Sequence, residues 1–486
     1  MEELLEAYAK KNVFFIHVLG GDQDISLIHF KKHYRLDYPM IPDNLDRYRH
    51  IIRVTGISNV AVFDGDGVCI FNESQTGQRL KDFQKVIDKA LKEIKGSKLK
   101  KKAYVENGTV YAPDVKKNDG RIVHERMPQL AAGFSGELHL VYVSDEGGSN
   151  DVFLRTCFEG RWGQDIGVAT SKADEYAPVA VALGEGRVLV AYVAQKKGLY
   201  QVFTVIVDNG KAKRPKQVSA SKDDAMAPSL SRGPDGDVWL AWYEWAKMGE
   251  FSRDREIFLS RHKGKSWSKP VQVSPTGVPT YEDHGEPVVC SDLQGGAWVA
   301  WTWDYHGTLP QKPPVDENSI FLRHVDKKLK MGEILAAGFR GEGRARDYVP
   351  TLTVTSDGKP WVAWDNSHKS SLGYNGKAIF LNRLVGDDFE EQTEVAAHNG
   401  QIDSPRLVRD LENRIHLVWA QHEGHGWILR HRQVGSESPA EAREVRIKCK
   451  CPRYPSACFD EKGRLWVAYT EMGEKKWKVR AEKLDG

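Results

Sequence analysis

Much of what would assign this chain to a familiar class is missing from its 486 residues. Its 70 basic and 67 acidic side chains nearly cancel, so no excess of either sign calls for nucleic acid or an acidic membrane surface as a partner. No apolar run approaches the length of a membrane-spanning helix. Cysteine is scarce, with 6 residues in no regular framework, which excludes a disulfide scaffold and fits a reducing compartment. The first residues, Met1-Glu2-Glu3-Leu4-Leu5, carry acid where a secretory signal would carry base. As written the chain therefore reads as cytoplasmic. A start inside a domain, with an upstream leader lost, would make it periplasmic or extracellular instead.

What is present is a ruler. Pro287 is followed eight residues later by Gly295 and fourteen residues later by Trp301. The same spacing holds for Pro128, Gly136 and Tyr142; Pro178, Gly186 and Tyr192; Pro228, Gly236 and Trp242; Pro350, Gly358 and Trp364; Pro405, Asn413 and Trp419; and Pro455, Gly463 and Tyr469. Proline suits the first residue of a strand, where no ladder N–H is needed. Glycine, or once asparagine, supplies the positive φ of a tight hairpin turn. The aromatic closes an apolar run such as Ala297-Trp298-Val299-Ala300-Trp301, a strand buried on both faces. Each unit is a hairpin of strands A and B.

A third strand follows each hairpin, as in Val152-Phe153-Leu154-Arg155, Ile257-Phe258-Leu259-Ser260 and Ile320-Phe321-Leu322-Arg323. A fourth, such as Gln217-Val218-Ser219 or Val271-Gln272-Val273, follows in the first six copies. Four antiparallel strands repeated seven times over residues 103–486 predict a seven-bladed β-propeller. The seventh copy ends before its fourth strand. A strand from Tyr104-Val105, Val110-Tyr111 or Arg121-Ile122-Val123 is expected to complete it and close the ring.

Residues 1–95 read as a separate α/β unit. A short helix around Leu4 and Leu5 precedes a buried strand at Asn12–Val18, a helix through Phe30 and Tyr34, the run Val60–Phe63, an Asp-Gly-Asp-Gly turn and a helix from Leu80 to Ile94. This order resembles the thioredoxin-like fold of the TlpA and redoxin families. The resemblance is incomplete: the strand and Cys-x-x-Cys turn before the first helix are missing, and Ser58 stands where that family carries its cis-proline. Without the dithiol no thiol–disulfide exchange is expected. Residues 96–102 form a lysine-rich linker.

Between strands C and D of the third blade, Ser260-Arg261-His262-Lys263-Gly264-Lys265-Ser266-Trp267 resembles the Asp-box (BNR) hairpin of sialidase-like propellers, with His262 in place of the aspartate. In a propeller the loops entering strand A and leaving strand B meet around the central opening. That funnel collects, among others, Glu175, Glu244, Asp283, His284, Glu286, His306, Arg346, Tyr348, His368, His422, Arg453 and Tyr454. Asp283-His284 before the proline and His306 after strand B resemble the pattern of seven-bladed polysaccharide lyases such as ulvan lyases. By that resemblance His284 and His306 serve as base and acid, Tyr348 is the alternative acid, and Arg346 takes the uronate carboxylate. His284, His306, His368 and His422 are the candidate ligands for a divalent metal. Arg126-Met127-Pro128 resembles the Arg-Ile-Pro that opens sialidases, which would imply glycoside hydrolysis with Arg346 and Arg453 as further members of an arginine triad and Asp283 or Glu244 as the acid. The expected partner is an acidic glycan or a protein at the funnel, and a scaffold that only binds is the competing class.

Overall fold

The protein is described by a computed structural model. It describes residues 125–486 except 146–148, 220, 248–252, 276–282, 306–316, 339–346, 367–376, 399–401, 424–425, 435–444, 448–451, 473–476 and 485–486. In the first 124 residues it describes six short strands only. The chain divides into two compact units, Met1–Ile122 and Val123–Gly486.

In the first unit His17–Leu19 pairs in parallel with Met40–Pro42, and Asn59–Phe63 pairs antiparallel with Cys69–Ser74. Tyr104–Glu106 and Thr109–Tyr111 pair with each other in a hairpin. The helices expected there, the linker and the place of Ser58 lie outside the described residues.

The second unit is an all-β propeller of seven sheets. Strand A is at one edge of each: Glu125–Ala132, Glu175–Gly184, Ala225–Arg232, Asp283–Ser291, Asp347–Val354, Ile402–Arg409 and Pro452–Phe459. Strands B and C follow in order, and a strand D pairs with C in blades 1 to 6. Strands A of successive blades pack against one another around the whole ring, blade 7 on blade 1 included. The ring is therefore lined by strands A, and its core lies between the sheets. Strand B is buried along both faces as expected: Trp239, Trp242, Trp301, Trp364 and Trp419 are all 0% exposed.

Four polar side chains knit neighbouring strands A together. The residue after the proline accepts the backbone N–H two positions after the next blade's proline: Ala180 N–H donates to Gln129 Oε1 (2.7 Å), Val289 to Ser229 Oγ (3.1 Å), Leu407 to Thr351 Oγ1 (3.0 Å) and Leu130 to Ser456 Oγ (2.9 Å). The last bond spans blades 7 and 1. Val479 N–H also donates to Glu125 (3.0 Å), and Trp466 and Val479 share a core with Leu130, Leu138 and Tyr142. The seventh sheet has three strands among the described residues. Of the segments expected to complete it, the hairpin at Tyr104–Tyr111 is recorded in a two-stranded sheet of its own, and residues 121–123 lie outside the described residues.

The turn glycines have the expected conformation, from φ 70° at Gly186 and Gly463 to 87° at Gly236, with Asn413 at 68°. Proline's place needs correction. It does not begin strand A but sits inside it, as with Pro128 in Glu125–Ala132. In all seven copies the residue before it has a left-handed φ: Met127 53°, Ala177 48°, Ala227 53°, Glu286 52°, Val349 49°, Ser404 54° and Tyr454 52°. There the register with strand B also slips, as between Arg126↔Val143 and Gln129↔Val141. This is a β-bulge, which releases proline from the ladder and lets it occupy a strand interior.

The hairpin that resembles an Asp box closes through a bridge between His262 and Trp267, whose rings lie 5.0 Å apart. Trp267 Nε1–H donates to Thr204 Oγ1 of blade 2 (3.1 Å), so this turn fastens one blade to the next.

Candidate functional site

Strand A begins and strand B ends at one end of each sheet, as Glu175 opposite Ala194 and Asp347 opposite Asn366 show. This upper end is where the funnel residues were expected. The bulge decides what strand A presents there, because an extra residue turns the side chains ahead of it relative to those behind. In blades 1, 2 and 7 the residue two before the proline packs against the start of a strand C. Tyr176 receives a hydrogen bond on its hydroxyl from Asn150 Nδ2 (3.1 Å), and Arg126 donates to Asn150 Oδ1. Arg453, 1% exposed, lies with its guanidinium carbon 3.9 Å from the Trp427 ring centroid and 5.4 Å from that of Tyr454.

Blade 4 departs from this pattern in an informative way. Its residue in that position is Gly285, and a Cβ there would lie 2.7 Å from Nη1 and 2.9 Å from Cζ of Arg255. The Arg255 guanidinium, from the start of strand C in blade 3, fills the space that the glycine leaves. It also faces the rings of Tyr243 (5.3 Å) and Trp245 (5.7 Å). Neither Arg255 nor Trp427 was singled out by sequence. The available signal was Gly285 itself, the one copy without a side chain where the others have Arg126, Tyr176, Met226, Tyr348, Asp403 and Arg453.

His284 follows from the same strand. It is 0% exposed, with its ring 4.9 Å from that of Trp303. Trp301 Nε1–H donates to its Nδ1 (3.1 Å), which leaves the proton of the neutral ring on Nε2, 4.0 Å from Glu256 Oε2. His284 is thus packed under two tryptophans rather than open to solvent. Tyr348 is half-buried in strand A of blade 5, opposite Asp365. His422 is half-buried, its ring edge-on to Trp427 at 5.5 Å. His306, Arg346, His368 and the side chain of Asp283 lie outside the described residues, and with them the expected His284–His306 pair and the four-histidine metal set. Among the described residues no group of three His, Cys, Asp or Glu is placed to hold a metal.

Two carboxyls at this end, Glu175 and Glu244, are raised by burial. Glu175 is 2% exposed; Ser171 Oγ–H donates to its Oε1 (2.5 Å), and its Oε2 has no hydrogen-bond partner. Burial, reinforced by the charges of Asp151 and Asp174 and opposed by Ser171, pushes its pKa up to about 7. Burial also raises Glu244, although Trp242 Nε1–H donates to its Oε1 (2.8 Å) and favours the ionised form. Glu286 Oε2 accepts the Val349 N–H (2.6 Å) and joins blades 4 and 5. Asp347, 0% exposed, accepts from Asn366 Nδ2 (2.7 Å). The upper end thus combines guanidinium groups held on aromatic faces with one buried carboxyl, Glu175, raised to about 7, a set suited to binding an anionic ligand.

No family profile and no curated protein matches the chain. Among solved structures it is similar to a polysaccharide lyase, an ulvan lyase of family PL25, at 12% identity and a TM-score of 0.51 over 74% of this chain and 96% of that one. A protein of unknown function from Dyadobacter fermentans is 15% identical over 74% of this chain and 94% of that one, with a TM-score of 0.45. The intramolecular trans-sialidase of Ruminococcus gnavus is 10% identical over the same shares, with a TM-score of 0.40. At such identities the likeness to the lyase shows the propeller fold and leaves the chemistry to the residues.

Proposed function

We propose that the chain is a glycan-directed propeller that takes an acidic polysaccharide at its upper end and cleaves it by β-elimination. The observation that carries this reading is the half-buried Arg255 guanidinium held beside the rings of Tyr243 and Trp245. An immobilised guanidinium suits a uronate carboxylate, and the adjoining rings suit the apolar face of a sugar. The ulvan lyase of similar fold is a polysaccharide lyase, which adds support.

In this reading Arg346 joins in neutralising the carboxylate, Tyr348 and His306 exchange the protons, and Asp283 orients them. His284, buried with Nδ1 engaged, positions Trp301 and Trp303 instead of meeting substrate. A divalent cation held by His306, His368 and His422 would assist the carboxylate. The test is a panel of acidic polysaccharides, with and without added divalent metal, read by the ultraviolet absorbance of unsaturated uronates. Product formation that vanishes in Tyr348→Phe or His306→Ala is the expected result. Absence of product from every polymer, with binding retained, would overturn elimination and leave the reading that the burial of His284 favours, a propeller that binds glycan without cleaving it.

A further inference from the structure

At the opposite end of the sheets, blades 5 and 6 leave a groove of about 400 Å³. Its sides are the Thr355–Lys359 turn between strands A and B of blade 5, the turn at Asn413 and Arg414 in blade 6, and the ends of both strands C. The volume matches that of a small-molecule site. Nothing in the reading above uses it.

The polar atoms of this groove can be followed one at a time. Arg383 donates Nε and Nη2 to the two oxygens of Glu390 (2.6 and 3.0 Å), leaving the Nη1 hydrogens. Arg414 donates Nε to Asp410 (2.5 Å) and has Nη1 2.9 Å from Glu412, leaving Nη2. Lys359 Nζ gives one hydrogen to Gly386 O (2.6 Å) and keeps two. Asn413 Oδ1 accepts the Ser356 N–H (2.8 Å), so its amide group is left over. Among the described residues, four side chains thus retain donors aimed at no protein acceptor. Charge does not accumulate to match, because Lys359, Arg383 and Arg414 stand among the carboxylates of Asp357, Glu390, Asp410 and Glu412. The apolar wall comes from Trp361, backed by the Arg383 guanidinium at 5.3 Å, and from Leu384 and Ile415.

A site with spare donors, no excess charge and an apolar wall fits an uncharged ligand that is dense in acceptors and has an apolar flank. We infer that this groove is a second saccharide-binding site, one that takes a neutral sugar residue. The inference rests on the glycan-directed reading for its ligand class but on none of the residues at the upper end. It gives the chain two attachment points for one polymer: an acidic residue at the upper end and a neutral one at this groove.

Two variants leave the fold intact. Lys359→Ala removes a half-buried turn side chain whose Nζ bonds only the Gly386 carbonyl, and Asn413→Gly suits the φ of 68° at that position. Binding of neutral gluco-, manno- and xylo-hexasaccharides to the full chain would be followed by calorimetry and by ligand-observed saturation-transfer NMR. The expected result is binding of at least one of them, weakened about tenfold or more by each variant, corresponding to loss of one hydrogen bond, while binding of acidic polysaccharide at the upper end is unchanged by either. Neutral saccharides that bind wild type and both variants alike, or that bind none, overturn the groove. If acidic polysaccharides also fail to bind, the glycan-directed reading falls with it; if they bind and respond only to Gly285→Ala, the groove alone is wrong.

Discussion

Gly285→Ala tests the upper end without touching the residue it is aimed at. The new Cβ would lie 2.7 Å from Arg255 Nη1 and 2.9 Å from its Cζ, closer than real contacts allow. Gly285 is not among the glycines of positive φ, so its backbone accepts alanine, and what must move is the tip of a flexible side chain. Displacing Arg255 gives up cation–π contacts with Tyr243 and Trp245 worth about 0.5–1 kcal/mol each. Replacing glycine within a strand returns about 0.5–1 kcal/mol of backbone entropy. Stability should therefore change by about 1 kcal/mol or less, measured by denaturant unfolding. If Arg255 takes the carboxylate, the lost charge-assisted hydrogen bond is worth about 1.5–3 kcal/mol, a rise in Kd of roughly 10- to 100-fold. Calorimetric titration with acidic oligosaccharide reads that change. Adding Arg255→Ala to Gly285→Ala should then cost little more affinity, since the first change has already removed the contact. Unchanged affinity in a folded Gly285→Ala protein would refute the role given to Arg255. A loss of more than about 3 kcal/mol of stability would instead show that the space beside Gly285 is closed by something less yielding than a side-chain tip.

Three further outcomes follow from the same geometry. Ala227→Gly should stabilise by about 0.5–1 kcal/mol, because a left-handed alanine costs about 1–2 kcal/mol against about 0.5–1 for glycine's entropy. Ala180→Gly, in the ordinary part of a strand A and 2% exposed, should destabilise by about 1 kcal/mol; like-signed effects in denaturant melts would contradict the bulge. Ser456→Ala should cost about 1–3 kcal/mol by leaving the buried Leu130 N–H without its acceptor, while Ser456→Thr should recover most of it, and equal stability of all three proteins would remove that bond from the closure of the ring. Glu175 has a folded pKa raised to about 7 from 4.5, so the folded state holds its proton more tightly than the unfolded one. Its stabilising effect is complete below pH 4.5 and is lost as pH rises through 7, about 3 kcal/mol in all. Glu175→Gln should flatten the stability profile over that window, and a profile unchanged from wild type would show that Glu175 ionises normally.

The fold was largely legible because its signals are local. A turn glycine, a buried aromatic and alternating burial are set by residues a few positions apart, and Gly236, Trp242 and Val238 behave as their spacing implies. Even His139 and His416, which hold the place of a buried tryptophan, pack as core residues at 4% and 8% exposure. Proline was misplaced within its strand because nothing in Met127, Ala177 or Val349 announces a left-handed backbone; these residue types avoid it, and only the ring of strands A imposes it. The site was less legible because its contacts cross between blades. His284 looks like an exposed loop histidine in sequence and is buried by Trp301 and Trp303, whereas Arg255 looks like one charge among many and is singled out only by an absence in the neighbouring blade.

The left-handed residue before each proline bears on where function should be sought. Backbone strain of this kind, worth about 1–3 kcal/mol at each position, is usually associated with active sites. Here it occurs in every blade, including blade 3, where Ala227 stands between Met226 and Pro228. A feature common to seven copies serves what the copies share, which is closure of the ring around strands A. Function must then lie in what the copies do not share. Gly285 in place of a side chain and Glu286 bridging two blades each stand apart from the other copies. Both belong to blade 4, which opens the arc of blades 4 to 6 that holds His306, Arg346, Tyr348, His368 and His422. A charge-swapping scan confined to that arc should therefore abolish glycan binding while the same scan over blades 1 and 2 leaves it intact. Equal sensitivity of both arcs would place the ligand along the axis of the ring rather than on one side of it.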